Sequence, residues 1–245
     1  MRFCLTIAYD GTNYAGWQVQ PGHATVQAAI EAAIEATAGT KVKLHGSGRT
    51  DRGVHARGQV AHFDLDTRMT PRAMLFALNA RLPADIRVLS AKRVPDDFHA
   101  RRSARAKEYR YVIFNGPVLM PCDRLYAVQV HRPLDLAAMR EGAARFVGEH
   151  DFRAFMANPQ RTVETTVRTI TDFAVARRGG TITLRVRGNG FLYKQVRSMA
   201  GLLIRIGHGQ ESPDRVTELL DACAPRTAHV PSAPPQGLTL WKVWY

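Results

Sequence analysis

The stretch Thr166–Arg187, TVRTITDFAVARRGGTITLRVR, holds two runs, Thr166 to Val175 and Thr181 to Arg187, on either side of Arg178-Gly179-Gly180. Two β-prone segments joined through a Gly-Gly pair read as a hairpin, and therefore as antiparallel strands. In the second strand Ile182, Leu184 and Val186 point one way while Thr183, Arg185 and Arg187 point the other. One face is built for a core. The basic outer row could track phosphates or simply be solvated.

Working outward, the same period of two recurs at Phe3, Leu5, Ile7 and Tyr9 and at Tyr109, Tyr111 and Ile113, predicting strands over 3–10 and 108–114. Further strands are expected at Lys41–Leu44, Gln59–Leu65, Ile86–Arg93 and Leu238–Trp244. Helical spacing begins at Thr25, a candidate N-cap, with Val26, Ala29, Ile30, Ala33 and Ile34 on one face and Gly39 as its stop. Pro71–Arg81 opens with proline in its first turn. Asp135 can cap a helix with Leu136, Met139, Ala143, Phe146 and Val147 on its face, and Leu192–Ile206 is a fourth helix, ended by Gly207. Helices and strands interleave without a repeating βαβ period. The expected class is therefore α+β: two similar halves, residues 1–104 and 105–245, sharing a largely antiparallel sheet with helices on one face.

Bulk composition narrows the partners. Thirty-four Lys and Arg against 21 Asp and Glu leave a formal charge of +13, which favours polyanions. The three cysteines, Cys4, Cys122 and Cys223, form no CxxC pair, so neither a zinc knuckle nor a redox motif can be written. The longest strongly apolar run, Met199–Ile204, is far short of the ~20 residues of a membrane span. Asp10-Gly11 interrupts the N-terminal apolar run too early for a signal peptide. A cytoplasmic protein without a membrane partner is expected.

Chemistry concentrates in Gly46-Ser47-Gly48-Arg49-Thr50-Asp51-Arg52-Gly53-Val54-His55-Ala56. Phosphate-loop readings fail there: the Lys-Ser/Thr pair is missing, and Asp51 stands where GxGxxG needs its last glycine. Taken alone, Asp51 could be an Asx-turn residue.

As a nine-position pattern, Gly48-Arg49-Thr50-Asp51-x-Gly-Val-His-Ala resembles the signature around the catalytic aspartate of the TruA family of pseudouridine synthases. Other blocks follow in that family's order: Tyr9-Asp10-Gly11-Thr12-x-Tyr14-x-Gly16-Trp17-Gln18-x-Gln20, Gly58-Gln59-Val60-x-His62-Phe63, Asn79-x-x-Leu82-Pro83-x-Asp85-Ile86, Phe98-His99-Ala100-Arg101, Tyr109-Arg110-Tyr111, His150-Asp151-Phe152, Phe191-Leu192-Tyr193, Val196-Arg197 and Gly237-Leu238. The resemblance spans essentially the whole chain. It departs at Arg52, where a small residue is common, and at Ser198, where asparagine is usual.

The resemblance implies a pseudouridine synthase fold and a tRNA isomerase acting on uridines 38, 39 and 40 of the anticodon stem-loop, as a homodimer and without a cofactor or metal. Asp51 would be the catalytic carboxylate, attacking C1′ or stabilising the charge that develops there. Arg197 would ion-pair with Asp51, Tyr109 would stack on the target uracil, Leu238 would pack against the base, and Arg49 would hold a phosphate. His55 is carried over only as a loop-shaping residue. Arg101, Arg102, Arg105 and Lys107 form a basic approach to Tyr109, suited to the RNA backbone. Two rivals remain at this point: a non-catalytic RNA-binding sheet, and a metal-dependent nuclease drawing on Asp64, Asp66, Asp96 and Asp97, with Asp64 and Asp66 on one strand face.

Overall fold

A computed structural model describes residues 1–157 and 163–245. In chain order its elements are β1 (Arg2–Tyr9), α1 (Val26–Ala38), β2 (His45–Gly46), β3 (His55–Asp64), α2 (Pro71–Asn79), β4 (Ile86–Val94), β5 (Ala106–Phe114), β6 (Val128–Gln129), α3 (Leu136–Ala144), β7 (Gly148–Asp151), β8 (Val167–Arg178), β9 (Thr181–Gly188), α4 (Gln195–Gly207), α5 (Arg215–Asp221) and β10 (Leu238–Trp244). The class is α+β, with antiparallel pairing dominant and parallel pairs at β3–β10 and β5–β6. The chain divides into two compact units, Met1–Arg105 with Thr239–Tyr245, and Ala106–Leu238.

In the first unit the strand order is β4-β1-β3-β10, with β2 beside β3. The alternation in β1 is realised in full: Phe3, Leu5, Ile7 and Tyr9 are buried while Arg2, Cys4, Thr6 and Ala8 are half-buried. Phe3 stacks on Phe63 across the β1–β3 ladder, ring centroids 5.5 Å apart. Val26, Ile30 and Ile34 of α1 and Met74 and Leu78 of α2 are fully buried. Each such side chain contributes about 1.5–3 kcal/mol by leaving water. Thr25 caps α1 through Oγ1, which accepts from the Ala28 amide, and Gly39 ends it at φ 70. Thr70 caps α2 in the same way, with Pro71 in the first turn.

One strand expectation fails here. Lys41–Leu44 is not a strand, because α1 side chains satisfy Leu44 instead of a ladder: its amide donates to Glu31 Oε1 at 2.9 Å and its carbonyl accepts from Gln27 Nε2 at 3.1 Å. The pairing begins one residue later, His45 opposite His62 and Gly46 opposite Ala61. The partner strand, expected from Gln59, already starts at His55.

In the second unit the order is β5-β9-β8-β7, antiparallel throughout, with β6 beside β5. The β8–β9 hairpin closes with Arg178 opposite Thr181, so Gly179-Gly180 is a two-residue turn with Gly179 at φ +59. Ile182, Leu184 and Val186 are buried, while Arg185 and Arg187 are exposed. Met139 and Ala143 of α3 and Met199, Leu202, Leu203 and Ile206 of α4 complete this core. Asp135 caps α3 by accepting from the amides of Ala137 and Ala138.

Three helix ends differ from expectation, the first being α2, which stops at Asn79 and not at Arg81. Lys194 sits at φ 59, in the left-handed region, so α4 starts at Gln195 and not at Leu192. The Gln195 side chain then accepts from the Leu192 amide at 2.8 Å. At the other end of the unit α3 stops at Ala144; Phe146 is still buried but Val147 is 44% exposed, so it leaves the expected face. The short elements β6, β7 and α5 carry too few residues for periodicity to reveal them.

Candidate active site

The first unit holds the loop between β2 and β3 by contacts at Ser47, Gly48, Thr50, Asp51 and His55. The Trp17 amide donates to the Thr50 carbonyl at 3.0 Å, and Gly16 bridges Asp51 in antiparallel fashion. Gly16 has φ +109, and a Cβ there would stand 2.6 Å from the Thr50 carbonyl oxygen. Gly11 approaches still closer: a Cβ would lie 2.1 Å from the Val54 carbonyl oxygen, and its amide donates to Nδ1 of buried His55 at 3.1 Å. His55 thus shapes the loop, in the role expected for it.

Buried side chains finish the clamp. The Tyr9 hydroxyl and Thr50 Oγ1 are hydrogen-bonded at 2.8 Å. Gln59 donates from Nε2 to the Gly48 carbonyl at 2.9 Å and accepts from the Ser47 hydroxyl at 2.7 Å. Ser47, Thr50, His55 and Gln59 are all buried. A polar group stranded at such depth costs about 1–3 kcal/mol, so each partner enforces the other's position. Burial also pushes the Tyr9 hydroxyl's pKa well above the ordinary phenol range, against the pull of its hydrogen-bond partners, so it stays protonated. Trp17 lies beside Tyr9, ring centroids 6.0 Å apart, and its indole fills the space a side chain at Gly46 would need. At the end of this framework stands Asp51, half-buried, its carbonyl accepting from the Val54 amide at 3.1 Å.

The first unit also presents exposed cations. Arg49 and Arg52 flank Thr50-Asp51 in sequence and are exposed, as are Arg101, Arg102 and Arg105. The turn carrying Arg101 and Arg102 is shaped by His99, whose Nδ1 accepts from both arginine amides at 3.1 and 3.3 Å. Beneath it, His62 Nδ1 accepts from the Ala100 amide at 3.2 Å, and the Tyr245 hydroxyl donates to the Ala100 carbonyl at 2.7 Å. His45, His62 and His99 cluster with ring centroids 4.7–5.8 Å apart. Burial first, then the neighbouring charge of His99 and Arg2, lowers the His62 pKa to about 4.

The second unit carries the other expected residues. Tyr109 is buried in β5 opposite Val186, its ring set edge-on to Phe191 at 5.1 Å. Lys107 is half-buried on the same strand. Arg197, half-buried in the first turns of α4, donates from Nε to the Ala233 carbonyl at 2.8 Å, while the Ala233 amide donates back to the Arg197 carbonyl at 2.9 Å. The Tyr111 hydroxyl donates to the Pro234 carbonyl at 2.9 Å. Segment 233–238 is therefore fastened to α4 and β5, and it delivers buried Leu238 at its end. This brings Arg197, Tyr111 and Leu238 together around one segment.

The nuclease reading loses its ligands. Asp64 is engaged bidentately by Arg2, at 2.8 Å on each oxygen, and Asp66 lies past the end of β3, off the expected strand face. Among the described residues no group of three His, Cys, Asp or Glu is arranged to hold a metal ion, and no helix is long and apolar enough to cross a membrane.

A half-open carboxylate on a turn held by buried hydrogen bonds and flanked in sequence by exposed arginines suits chemistry on a polyanion. A family model described as tRNA pseudouridine synthase matches residues 5–101 and 143–245. Proteins named tRNA pseudouridine synthase A match along nearly their whole lengths. That of Brevibacillus brevis is 43% identical over 244 residues, 100% of this chain and 99% of its own. That of Geobacter sp. strain M21 is 47% identical over 241 residues, covering 98% and 97%. A third, from Exiguobacterium sp., is 46% identical over 244 residues, covering 100% and 98%. The chain belongs to the tRNA pseudouridine synthase family.

In the sequence Tyr9, Thr50 and Gln59 stand out only by their places in motifs and strands. The available signal was Tyr9 itself: period two puts it on the buried face, where a phenolic hydroxyl needs a partner.

Proposed function

We propose that this chain is an isomerase that converts uridine to pseudouridine in tRNA, with Asp51 as its catalytic residue. The observation that carries the reading is the clamped Gly48–Ala56 loop, which holds one half-open carboxylate on immobilised backbone within a family of tRNA pseudouridine synthases. The reaction cleaves the C1′–N1 bond, turns the uracil, and rejoins it through C5, releasing the C5 proton. It is redox-neutral and moves no phosphoryl group. An ionised carboxylate can attack C1′ or stabilise the positive charge developing there.

The other assignments follow the resemblance residue by residue. Arg197 serves as the counter-charge of Asp51 and holds its rotamer. Tyr109 stacks on the target base, a contact worth ~1–3 kcal/mol, and Leu238 packs against it. Arg49 holds a phosphate as the nucleotide is flipped from its stack. Arg101, Arg102, Arg105 and Lys107 follow the RNA backbone. The substrate is the anticodon stem-loop at positions 38, 39 and 40, recognised by shape more than by base edges. The enzyme works as a homodimer in the cytoplasm.

The test is tritium release from tRNA labelled at C5 of uracil, run in EDTA beside Asp51→Ala, with tRNA binding measured for both. Release by the wild type alone, with binding intact in both, is the expected result. A folded wild type that binds tRNA and releases nothing would replace the enzyme with an RNA-binding protein.

A further inference from the structure

We infer that Tyr9 and Gln59 are positioning residues that aim Asp51 from inside the core. The inference rests on the catalytic reading of Asp51. Tyr9 and Gln59 occupy neighbouring strands, β1 and β3, at positions that an apolar residue would fill if only the sheet needed completing. Both are instead polar at their tips, buried, and turned to the loop: Tyr9 to Thr50 Oγ1 at 2.8 Å, Gln59 to the Gly48 carbonyl at 2.9 Å and the Ser47 hydroxyl at 2.7 Å.

The backbone is arranged for these contacts. Ile7 pairs with Gln59 but Tyr9 with Ala56, so β3 spends an extra residue between the two pairs. Such a bulge re-aims side chains next to sites of chemistry. Thr50 is then held twice, through its hydroxyl by Tyr9 and through its carbonyl by the Trp17 amide at 3.0 Å. Those two contacts orient the Thr50–Asp51 peptide and hence the direction in which the Asp51 side chain leaves the backbone. Gln59 fixes the approach to that peptide at Gly48 and Ser47, two and three residues before Thr50. Tyr9, Thr50 and Gln59 are all buried, so they act on the substrate only through the loop, and an unchanged KM and tRNA Kd separate an effect on Asp51 from one on its neighbour Arg49. Misplacing a reacting group by about 1 Å can cost on the order of a hundredfold in rate.

The experiment compares wild type with Tyr9→Phe, Gln59→Met, Thr50→Val, Thr50→Ser and the Tyr9→Phe/Thr50→Val pair, using tritium release from C5-labelled tRNA with thermal melts on every variant. We expect Tyr9→Phe, Gln59→Met and Thr50→Val to lower kcat about tenfold to a hundredfold, with KM and tRNA Kd within about twofold of wild type. Thr50→Ser, which keeps the hydroxyl, should stay near wild type. The double variant should be no worse than its worse single, because both remove the same bond. A Tyr9→Phe protein that melts lower but keeps wild-type kcat would make the contact merely structural and overturn the inference. So would a rise in KM at unchanged kcat. Asp51→Asn runs in parallel: if it is active, the catalytic reading falls and takes this inference with it, whereas an inactive Asp51→Asn beside a fully active Tyr9→Phe overturns the inference alone.

Discussion

Two glycine turns of this molecule use the same residue for opposite reasons. At the β8–β9 hairpin Gly179 has φ +59, and a Cβ there would meet nothing within 4 Å. At Gly179 glycine serves only the backbone angle, and that position stands in open solvent. At the Asp51 loop Gly16 has φ +109 and a Cβ would collide with the Thr50 carbonyl, while Gly11 would collide with that of Val54. There glycine lets one backbone press against another. The first turn connects two strands; the second is assembled from segments some 40 residues apart in sequence, Tyr9–Trp17 against Gly46–Ala56, and is locked by buried hydrogen bonds. Backbone packed that tightly around a half-open carboxylate is how a fold preorganises a reacting group.

The contrast can be broken in graded ways. Asp51→Asn removes the charge and leaves the framework, so tritium release should fall at least about a thousandfold while tRNA binding and the melting midpoint persist. Gly16→Ala strains a positive φ and forces the loop from Gly16, so activity should fall about a hundredfold, and the melt should shift down with it. An active, fully stable Gly16→Ala would show that the close approach is dispensable.

A subtler separation uses pH. His62 is neutral in the fold, with its pKa lowered from 6.5 to about 4. The unfolded chain therefore takes up the proton first. Its contribution to stability is present above about pH 6.5 and is lost as pH falls from there toward 4. Melts at pH 7.5 and pH 5 should differ, and His62→Asn should narrow the difference; an unchanged gap would assign the acid sensitivity elsewhere. The smallest effect belongs to the open turn. Gly179→Ala should cost only about 1–2 kcal/mol for the left-handed angle, and lower the melting midpoint by a few degrees, with tritium release unchanged. A large loss of activity there would erase the distinction between the two turns.

Much of this was legible before any coordinates. Strands β1, β4, β5 and β10 and the helix ends at Thr25, Gly39 and Asp135 follow from local rules, since side-chain period and end-capping are decided within a few residues. The errors fall where distant partners intervene. Lys41–Leu44 has strand-like residues, but Gln27 and Glu31 of α1 take the hydrogen bonds of Leu44. Leu192 reads as helix, but Lys194 adopts a left-handed turn. The Asp51 loop was visible as a motif, yet the groups that hold it, Tyr9 and Gln59, looked like ordinary strand residues.

By itself, then, the sequence determined the α+β class, the alternating core faces, the excess positive charge and the family pattern around Asp51, because each is written in spacing and composition. Only the tertiary structure decided that β10 returns to run parallel to β3, that Arg2 occupies Asp64, and that Tyr9, Gln59 and two glycines grip the loop. Those outcomes depend on polar groups finding partners far away in the chain, and a hydrogen bond between residues 41 positions apart leaves no local trace in the sequence.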